Sequence, residues 1–209
     1  MLLPPYSAVI LAGGVAQRLG GGDKPLRQLG DRTILSWIIE RIDPQVQHLA
    51  LSANGDASRF SDLNLPVLPD RLASLGPMAG VLSAMEWTKR NNPEASHVLT
   101  LSGDTPFIPR DLVQNLAKIV DSEQKMIASA SSAGRPHPTI SFWPIAAFDQ
   151  ITDAILNDKG RRVLDWLTIF HSRTVEWDHQ PFDPFFNINT PVDLREAEKI
   201  MILARSPLV

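Results

Sequence analysis

Short apolar runs and helix-period stretches alternate along this chain almost from end to end. The first run, Tyr6-Ser7-Ala8-Val9-Ile10, has the length and β-branched content of a buried strand. Within residues 33–42, Ile34, Leu35, Ile38, Ile39 and Ile42 share one face at helical spacing. Asp31 or Thr33 is placed to cap that helix and Pro44 to stop it. A second strand is predicted over 47–53, closing at the turn signal Asn54-Gly55. A short helix over 58–63 leads to a brief strand at 66–68, which ends on Pro69-Asp70. The connection Leu75-Gly76-Pro77-Met78-Ala79-Gly80 opens a helix to about Arg90, with Pro77 near its first position. Residues 97–102 form a clear apolar strand that closes on Gly103-Asp104-Thr105-Pro106, and a helix over 109–120 follows with Asp111 in its first turn.

The second half is less regular. Strands are predicted over 126–131 and 139–143, flanking a loop at 134–138, and helices over 145–156 and 161–170. A short strand at 175–177 and another at 185–189 precede a well-marked closing helix. Thr190 caps it, Pro191 occupies its first position and Asp193 its third, close to a capping box. Alternating strands and helices predict an α/β protein: one Rossmann-like, three-layer α/β/α domain around a mostly parallel central sheet. The length of 209 residues suits a single domain.

Ligands of such sheets sit outside the carboxyl ends of the strands. The unusual polar residues gather there. A glycine-rich stretch, Leu11 to Leu26, follows the first predicted strand, Asn54 the second, Asp70 the third and Asp104 the fourth. The stretch holds five glycines (Gly13, Gly14, Gly20, Gly21 and Gly22) together with Arg18 and Lys24. Glycines at the end of a strand let backbone N–H groups approach a phosphate chain, and the two cations would add charge. The spacing matches neither the P-loop nor the dinucleotide fingerprint, so a solvated surface loop is the competing reading. As surface ion pairs, Arg18 and Lys24 would each contribute about 0–1 kcal/mol. As donors to a transferring phosphate, each would contribute about 3–4 kcal/mol.

The other candidates carry similar pairs of readings. Asp104 suits an Mg2+ ligand or a helix cap, and Asp70 and Asn54 suit a ligand or a turn. Arg161-Arg162 opens a predicted helix, an unfavourable place for cations unless an anion is near. His137, between two prolines, reads as a loop histidine. Asn187 and Asn189 alternate along an extended segment and so share a face.

Composition narrows the chemistry. The net charge of −3 argues against a nucleic-acid binder. The chain has no cysteine, which excludes disulfides, thiolate metal sites and a cysteine nucleophile and is compatible with a reducing compartment. No signal peptide and no membrane span is legible, so a cytoplasmic protein is expected. Neither a Ser-His-Asp pattern nor H-E-x-x-H is present, which disfavours a hydrolase with its own nucleophile.

Taken in order, Leu11-Ala12-Gly13-Gly14 with Arg18 and Asp23-Lys24-Pro25-Leu26, then Gly76-Pro77-Met78-Ala79-Gly80, Gly103-Asp104-Thr105-Pro106, Arg161-Arg162 and Asn187-Ile188-Asn189-Thr190-Pro191 resemble the blocks of the MobA-like nucleotidyltransferases. The arginine pair and the N-x-N-T-P block resemble the molybdenum cofactor guanylyltransferases among them. The resemblance implies a fold like that of the nucleotide-diphospho-sugar transferases, with a nucleotide-binding half over about 1–120 and an acceptor-binding half over 121–209. It also implies GMP transfer from Mg2+-bound GTP to the phosphate of molybdopterin or its molybdenum-loaded form, with release of pyrophosphate. By the same resemblance, Leu11, Ala12 and Gly13 contact the nucleotide, Lys24 its phosphates, Asn54 and Asp70 the GTP, and Asp104 the Mg2+. Arg18, Gly76, Gly80, Arg162, Asn187 and Asn189 fall at positions tied to activity or to the pterin side. Molybdenum-insertion proteins, apo-molybdoenzymes or chaperones are the implied protein partners. A CTP-using relative, one with a sugar or alcohol phosphate acceptor, and a non-catalytic GTP-binding delivery protein are the alternatives. Three positions depart from the family pattern: the run Gly20-Gly21-Gly22, Leu19 in place of a common methionine, and Gly103 in place of a frequent cysteine.

Overall fold

The computed structural model describes residues 5–13, 21–70, 72, 75–120, 125–157 and 162–204. In chain order, strand β1 (Ser7–Leu11) leads through a small hairpin, β2 (Gln28–Leu29) and β3 (Arg32–Thr33), to helix α1 (Ile34–Ile42). Next come β4 (His48–Ser52), β5 (Val67–Leu68), α2 (Pro77–Asn91), β6 (His97–Ser102) and α3 (Leu112–Val120). The second half contributes β7 (Ile127–Ser132), β8 (Arg135–Pro144), α4 (Phe148–Asn157), α5 (Val163–Ile169), β9 (Ser172–Trp177) and α6 (Pro191–Ala204). Seven strands make one sheet in the order β5-β4-β1-β6-β8-β7-β9. Within it β8 runs antiparallel to both neighbours and every other pairing is parallel. The three-layer α/β/α expectation is met.

The period of two along the strands sorts side chains to the two faces. Ala8, Ile10, Leu49, Leu51, Leu99 and Leu101 join one buried cluster, whose cover is Ile34, Leu35 and Ile38 of α1, Leu112 and Leu116 of α3, and Ala197 and Ile200 of α6. Val9, Ala50, Val98 and Ile127 point the other way, under Val81, Leu82 and Met85 of α2, Ile151 of α4 and Trp166 of α5. Burial on both faces is what makes these strands read as nearly continuous apolar runs. No described helix is long and apolar enough to cross a membrane.

Helix ends follow the sequence closely. Thr33, rather than Asp31, caps α1, its Oγ1 accepting from Ser36 N at 3.1 Å. At α6, Asp193 N–H donates to Thr190 Oγ1 at 3.2 Å, and the Asp193 carboxylate takes the Thr190 N–H at 2.8 Å, a complete capping box. The helix predicted over 109–120 starts later than expected, at Leu112. Asp111 stands just before it and accepts Asn115 N–H at 3.0 Å through its carbonyl, the role of a cap and not of the first turn.

Three regions differ from the sequence reading. Residues 134–138 are not a loop: the turn is only Ala133-Gly134, both at positive φ, and the two prolines lie within β8. They are tolerated because β6 pairs with β8 only along Ser141–Pro144, so Pro136 and Pro138 need no N–H for a second neighbour. Between Ser129 and Ala130 of β7 the partner on β8 jumps from Ser141 to His137, so Pro138, Thr139 and Ile140 form a bulge. That bulge is pinned by Thr100 Oγ1, which donates to the Thr139 carbonyl at 2.9 Å, and by Ser141 Oγ, which donates to the Pro138 carbonyl at 2.9 Å. Residues 185–189 form no strand: Phe185 lies in a turn, and Ile188 N–H bonds to the Asp104 carbonyl at 3.0 Å instead of joining a ladder. The short hairpin of β2 and β3 was not anticipated, because two-residue strands leave no periodic signal.

Candidate active site

The carboxyl ends of β1, β4, β5 and β6 converge on a cavity of about 340 Å³. Leu11 and Gly13 line it from the β1 end, Lys24 from the turn that follows, and Asn54 and Asp70 from beyond β4 and β5. Gly76 and Gly80 line it from the start of α2, and Asp104 from the end of β6. Ala12 is buried beneath the cavity floor, its N–H donating to the Ser52 carbonyl at 2.8 Å. Arg18 and Arg161 lie outside the described residues.

Two glycines let the floor close up. The Gly103 N–H bonds to the Leu11 carbonyl at 3.1 Å, and a Cβ at position 103 would lie 2.8 Å from that same oxygen and 3.1 Å from Pro25. A Cβ at position 80 would lie 2.7 Å from the Leu11 side chain and 2.9 Å from Ser52 Oγ, so α2 reaches the ends of β1 and β4 only through a glycine. This sets the α2 N-terminus, the positive end of the helix dipole, against the cavity. Gly103, a departure from the family pattern, is thus required by this chain's own packing.

Lys24 begins a short 3-10 turn, Lys24–Leu26, whose Pro25 is buried. Its Nζ donates to Asp104 Oδ2 at 2.6 Å and to Asn189 Oδ1 at 2.7 Å. Lys24 and Asp104 are each only 15% exposed, so the pair is far less screened than a surface ion pair. The other carboxylate oxygen, Asp104 Oδ1, accepts from Ser102 Oγ at 2.6 Å and lies 3.3 Å from Thr105 Oγ1. Thr105 also bonds to Asn187 Oδ1 at 2.8 Å. Both asparagines are therefore brought to Asp104 by the extended segment before α6. The capping box of α6 helps to hold them, since Asp193 Oδ2 takes the Asn189 N–H at 2.8 Å as well. Burial acts to raise the Asp193 pKa. The bonds from Asn189 and Thr190 and the charge of Lys24 outweigh it and hold the carboxyl below its usual value.

Asn54 and Asp70 form a reciprocal pair. Asn54 Nδ2 donates to Asp70 Oδ2 at 2.5 Å, while Asp70 N–H donates to Asn54 Oδ1 at 2.8 Å. Arg59, unremarked in the sequence, donates to the Asn54 carbonyl at 2.6 Å and forms an ion pair with Asp23 at 2.9 Å. Arg162 is not drawn in. It caps α5, largely exposed, with its guanidinium 3.3 Å from Asp165, and is not among the residues lining this cavity or the next.

A second cavity of about 380 Å³ adjoins the first. His137, Asp183, Phe186, Asn187 and Asn189 line it, and Thr139 of the β8 bulge lines both cavities. Ser102, Thr105 and Thr139 were missed in the sequence. The first two flank Asp104 and had a signal in that adjacency. Thr139 had none, because only the register of β8 brings it there.

Such an arrangement offers donors for a polyphosphate and room for a second substrate. That is the equipment of a nucleotidyltransferase. The chain belongs to the MobA-like NTP transferase family, whose domain profile matches residues 8–173. It is 46% identical over 200 residues to a molybdenum cofactor guanylyltransferase of Rhodopseudomonas palustris strain BisB5, covering 95% of each chain. It is 41% identical over 202 residues to one of Nitrobacter hamburgensis, covering 96% of this chain and 97% of that one. In fold it is similar to molybdopterin-guanine dinucleotide biosynthesis protein A of Archaeoglobus fulgidus, with a TM-score of 0.72 at 23% identity, covering 94% of this chain and 99% of that one. It is also similar in fold to a CMP:2-keto-3-deoxy-manno-octonic acid synthetase complexed with CTP, with a TM-score of 0.69 at 14% identity over 95% and 98% of the two chains.

Proposed function

We propose that the protein transfers GMP from GTP to the phosphate of molybdopterin or the molybdenum cofactor. The reading rests on the family and on one structural observation. The two cavities meet at Thr139 and are bridged by the bond from Lys24 in the first to Asn189 in the second. GTP occupies the first cavity, its phosphates beside Gly13, Lys24 and the α2 N-terminus, and the acceptor occupies the second. Asn54 and Asp70 lie at the far side of the first cavity, where the nucleoside belongs.

An acceptor phosphate oxygen attacks the α-phosphorus of GTP. The new bond forms there, the bond from the α-phosphorus to the α,β-bridging oxygen breaks, and pyrophosphate leaves. The nucleophile is already an anion, so no general base is needed. The barrier lies in bringing two anions together, which positioning and positive charge reduce. Lys24 supplies that charge by exchanging Asp104 and Asn189 for phosphate oxygens. Asn189 and Asn187, held by Asp193 and Thr105, orient the acceptor phosphate.

The residues fit Mg2+. The Asp104 carboxylate and the Asn189 amide oxygen are hard donors close enough to share one cation, here the Lys24 ammonium. No group of three acidic or histidine ligands exists among the described residues, which suits an ion held by one carboxylate and substrate phosphates. When bound, Mg2+ supplies charge neutralisation at the phosphates. Steady-state pyrophosphate release with molybdopterin and each of the four nucleoside triphosphates tests the proposal. Release is expected with GTP. Equal or greater release with CTP would point instead to a cytidylyltransferase.

A further inference from the structure

The second cavity holds a histidine that the reaction just described leaves idle. His137 lies on the part of β8 that runs past β6, and its ring packs on Phe185 with centroids 4.7 Å apart. Its Nε2 is 2.7 Å from Ser132 Oγ, and the Ser132 hydroxyl donates to Asp183 Oδ1 at 2.7 Å. The same Asp183 oxygen accepts the Phe185 N–H at 2.9 Å, so Asp183 acts as an acceptor. A serine hydroxyl has one proton to give. Ser132 gives it to Asp183 and can only accept from His137, which puts the imidazole proton on Nε2. Nδ1 is left with a lone pair that no described residue hydrogen-bonds, on a side chain that lines the cavity.

Burial favours the neutral ring and lowers the His137 pKa. Of the charges that face it, Asp183 and Glu176 act to raise the pKa and Arg135 to lower it, and the net direction is down. Asp183 and Arg135 both line the cavity, so the charge around the ring is mixed, and the lone pair itself makes Nδ1 a poor place for a phosphate and a good one for an N–H donor. The Asn187, Asn189 and Thr139 side of the same cavity, next to Lys24, has the opposite character. An acceptor with a donor-bearing heterocycle and a phosphate tail is thus received in one orientation.

We propose that His137 is a specificity-determining residue for the acceptor: the Ser132–Asp183 chain fixes its tautomer so that Nδ1 accepts a hydrogen bond from an N–H of the pterin ring. The inference rests on reading the second cavity as the acceptor site.

The test is acceptor and GTP kinetics of His137→Gln and His137→Asn beside the unaltered protein. Gln keeps an N–H toward Ser132 and has nothing at the Nδ1 position, whereas Asn places its Oδ1 near Nδ1. The KM for molybdopterin is expected to rise about tenfold in H137Q, the loss of one hydrogen bond. The KM for GTP and kcat stay within about twofold by the same argument, and H137N recovers most of the loss. In the unaltered protein the acceptor KM rises as pH falls below the ordinary histidine value of 6.5, because protonation turns Nδ1 into a donor; in H137Q that dependence disappears. An unchanged acceptor KM in H137Q, an equal rise in the KM for GTP, or a retained pH dependence would overturn the assignment. An unaltered protein that forms no dinucleotide from GTP would instead overturn the guanylyltransferase reading, and this inference with it.

Discussion

Lys24 is the residue on which the two cavities depend. Its ammonium links the Asp104 carboxylate at the end of β6 to the exposed Asn189 amide, 165 positions beyond Lys24 itself, and the Lys24–Asp104 pair is largely shielded from water. Replacing it with alanine removes the donor proposed for the phosphates and is expected to lower kcat by about a hundred- to a thousandfold, the usual cost of one such donor. Single-turnover rates at saturating GTP would read this, and a variant with normal turnover would remove Lys24 from the chemistry. Gly103 makes a different kind of demand. A methyl group there would press on the Leu11 carbonyl and on Pro25, so Gly103→Ala is expected to lower stability by about 1–3 kcal/mol, as overpacking does. Denaturant unfolding measures that directly; a variant as stable as the parent would mean that the β1–β6 edge can yield. Lys24 and Asp104 were visible in the sequence as polar residues after apolar strands. Their contact was not, because nothing local records which residues end up beside one another across the sheet edge.

Among the elements, α6 does more than cover the sheet. Its capping box ties the helix start to Asn189, because one carboxylate oxygen of Asp193 takes the N–H groups of both Asn189 and Thr190. Asp193→Ala is therefore expected to cost about 1 kcal/mol of stability, as for other lost caps, and to lower activity as well through a loosened Asn189. Melting curves and kinetics on one preparation test the pair of effects together; a stability loss with unchanged kinetics would separate the cap from the site. The sign of the pH dependence follows from the depressed pKa. Below its ordinary value of 3.8 the unfolded chain takes up the proton first, so the contribution of Asp193 is present above that pH and fades as pH falls through the lower folded value. The cap was legible as Thr190-Pro191 followed by Asp193, a strictly local signal. The β8 bulge was not. Its prolines read as a loop, and only the half-free edge beyond β6 explains how they fit in a strand. Thr139 and the chain from His137 through Ser132 to Asp183 were hidden for the same reason, since their register belongs to the sheet and not to the segment.

At the scale of the whole molecule, alternating apolar strands and amphipathic helices made the α/β architecture plain, and strand ends located the first cavity. The acceptor side was less legible, because it is built from an antiparallel strand and an extended segment without a ladder of its own. In the function proposed above, the molecule holds two anionic substrates against each other, one on a glycine-lined parallel edge and one against the β8 bulge. The measurement that bears most directly on this is the fate of isotope in GTP incubated with the protein, Mg2+ and molybdopterin. Label on the α-phosphate is expected in a guanine–pterin dinucleotide and label on the γ-phosphate in pyrophosphate, both only when the acceptor is present. Label from the γ-position in the pterin product, or release of inorganic phosphate in place of pyrophosphate, would contradict nucleotidyl transfer at this site.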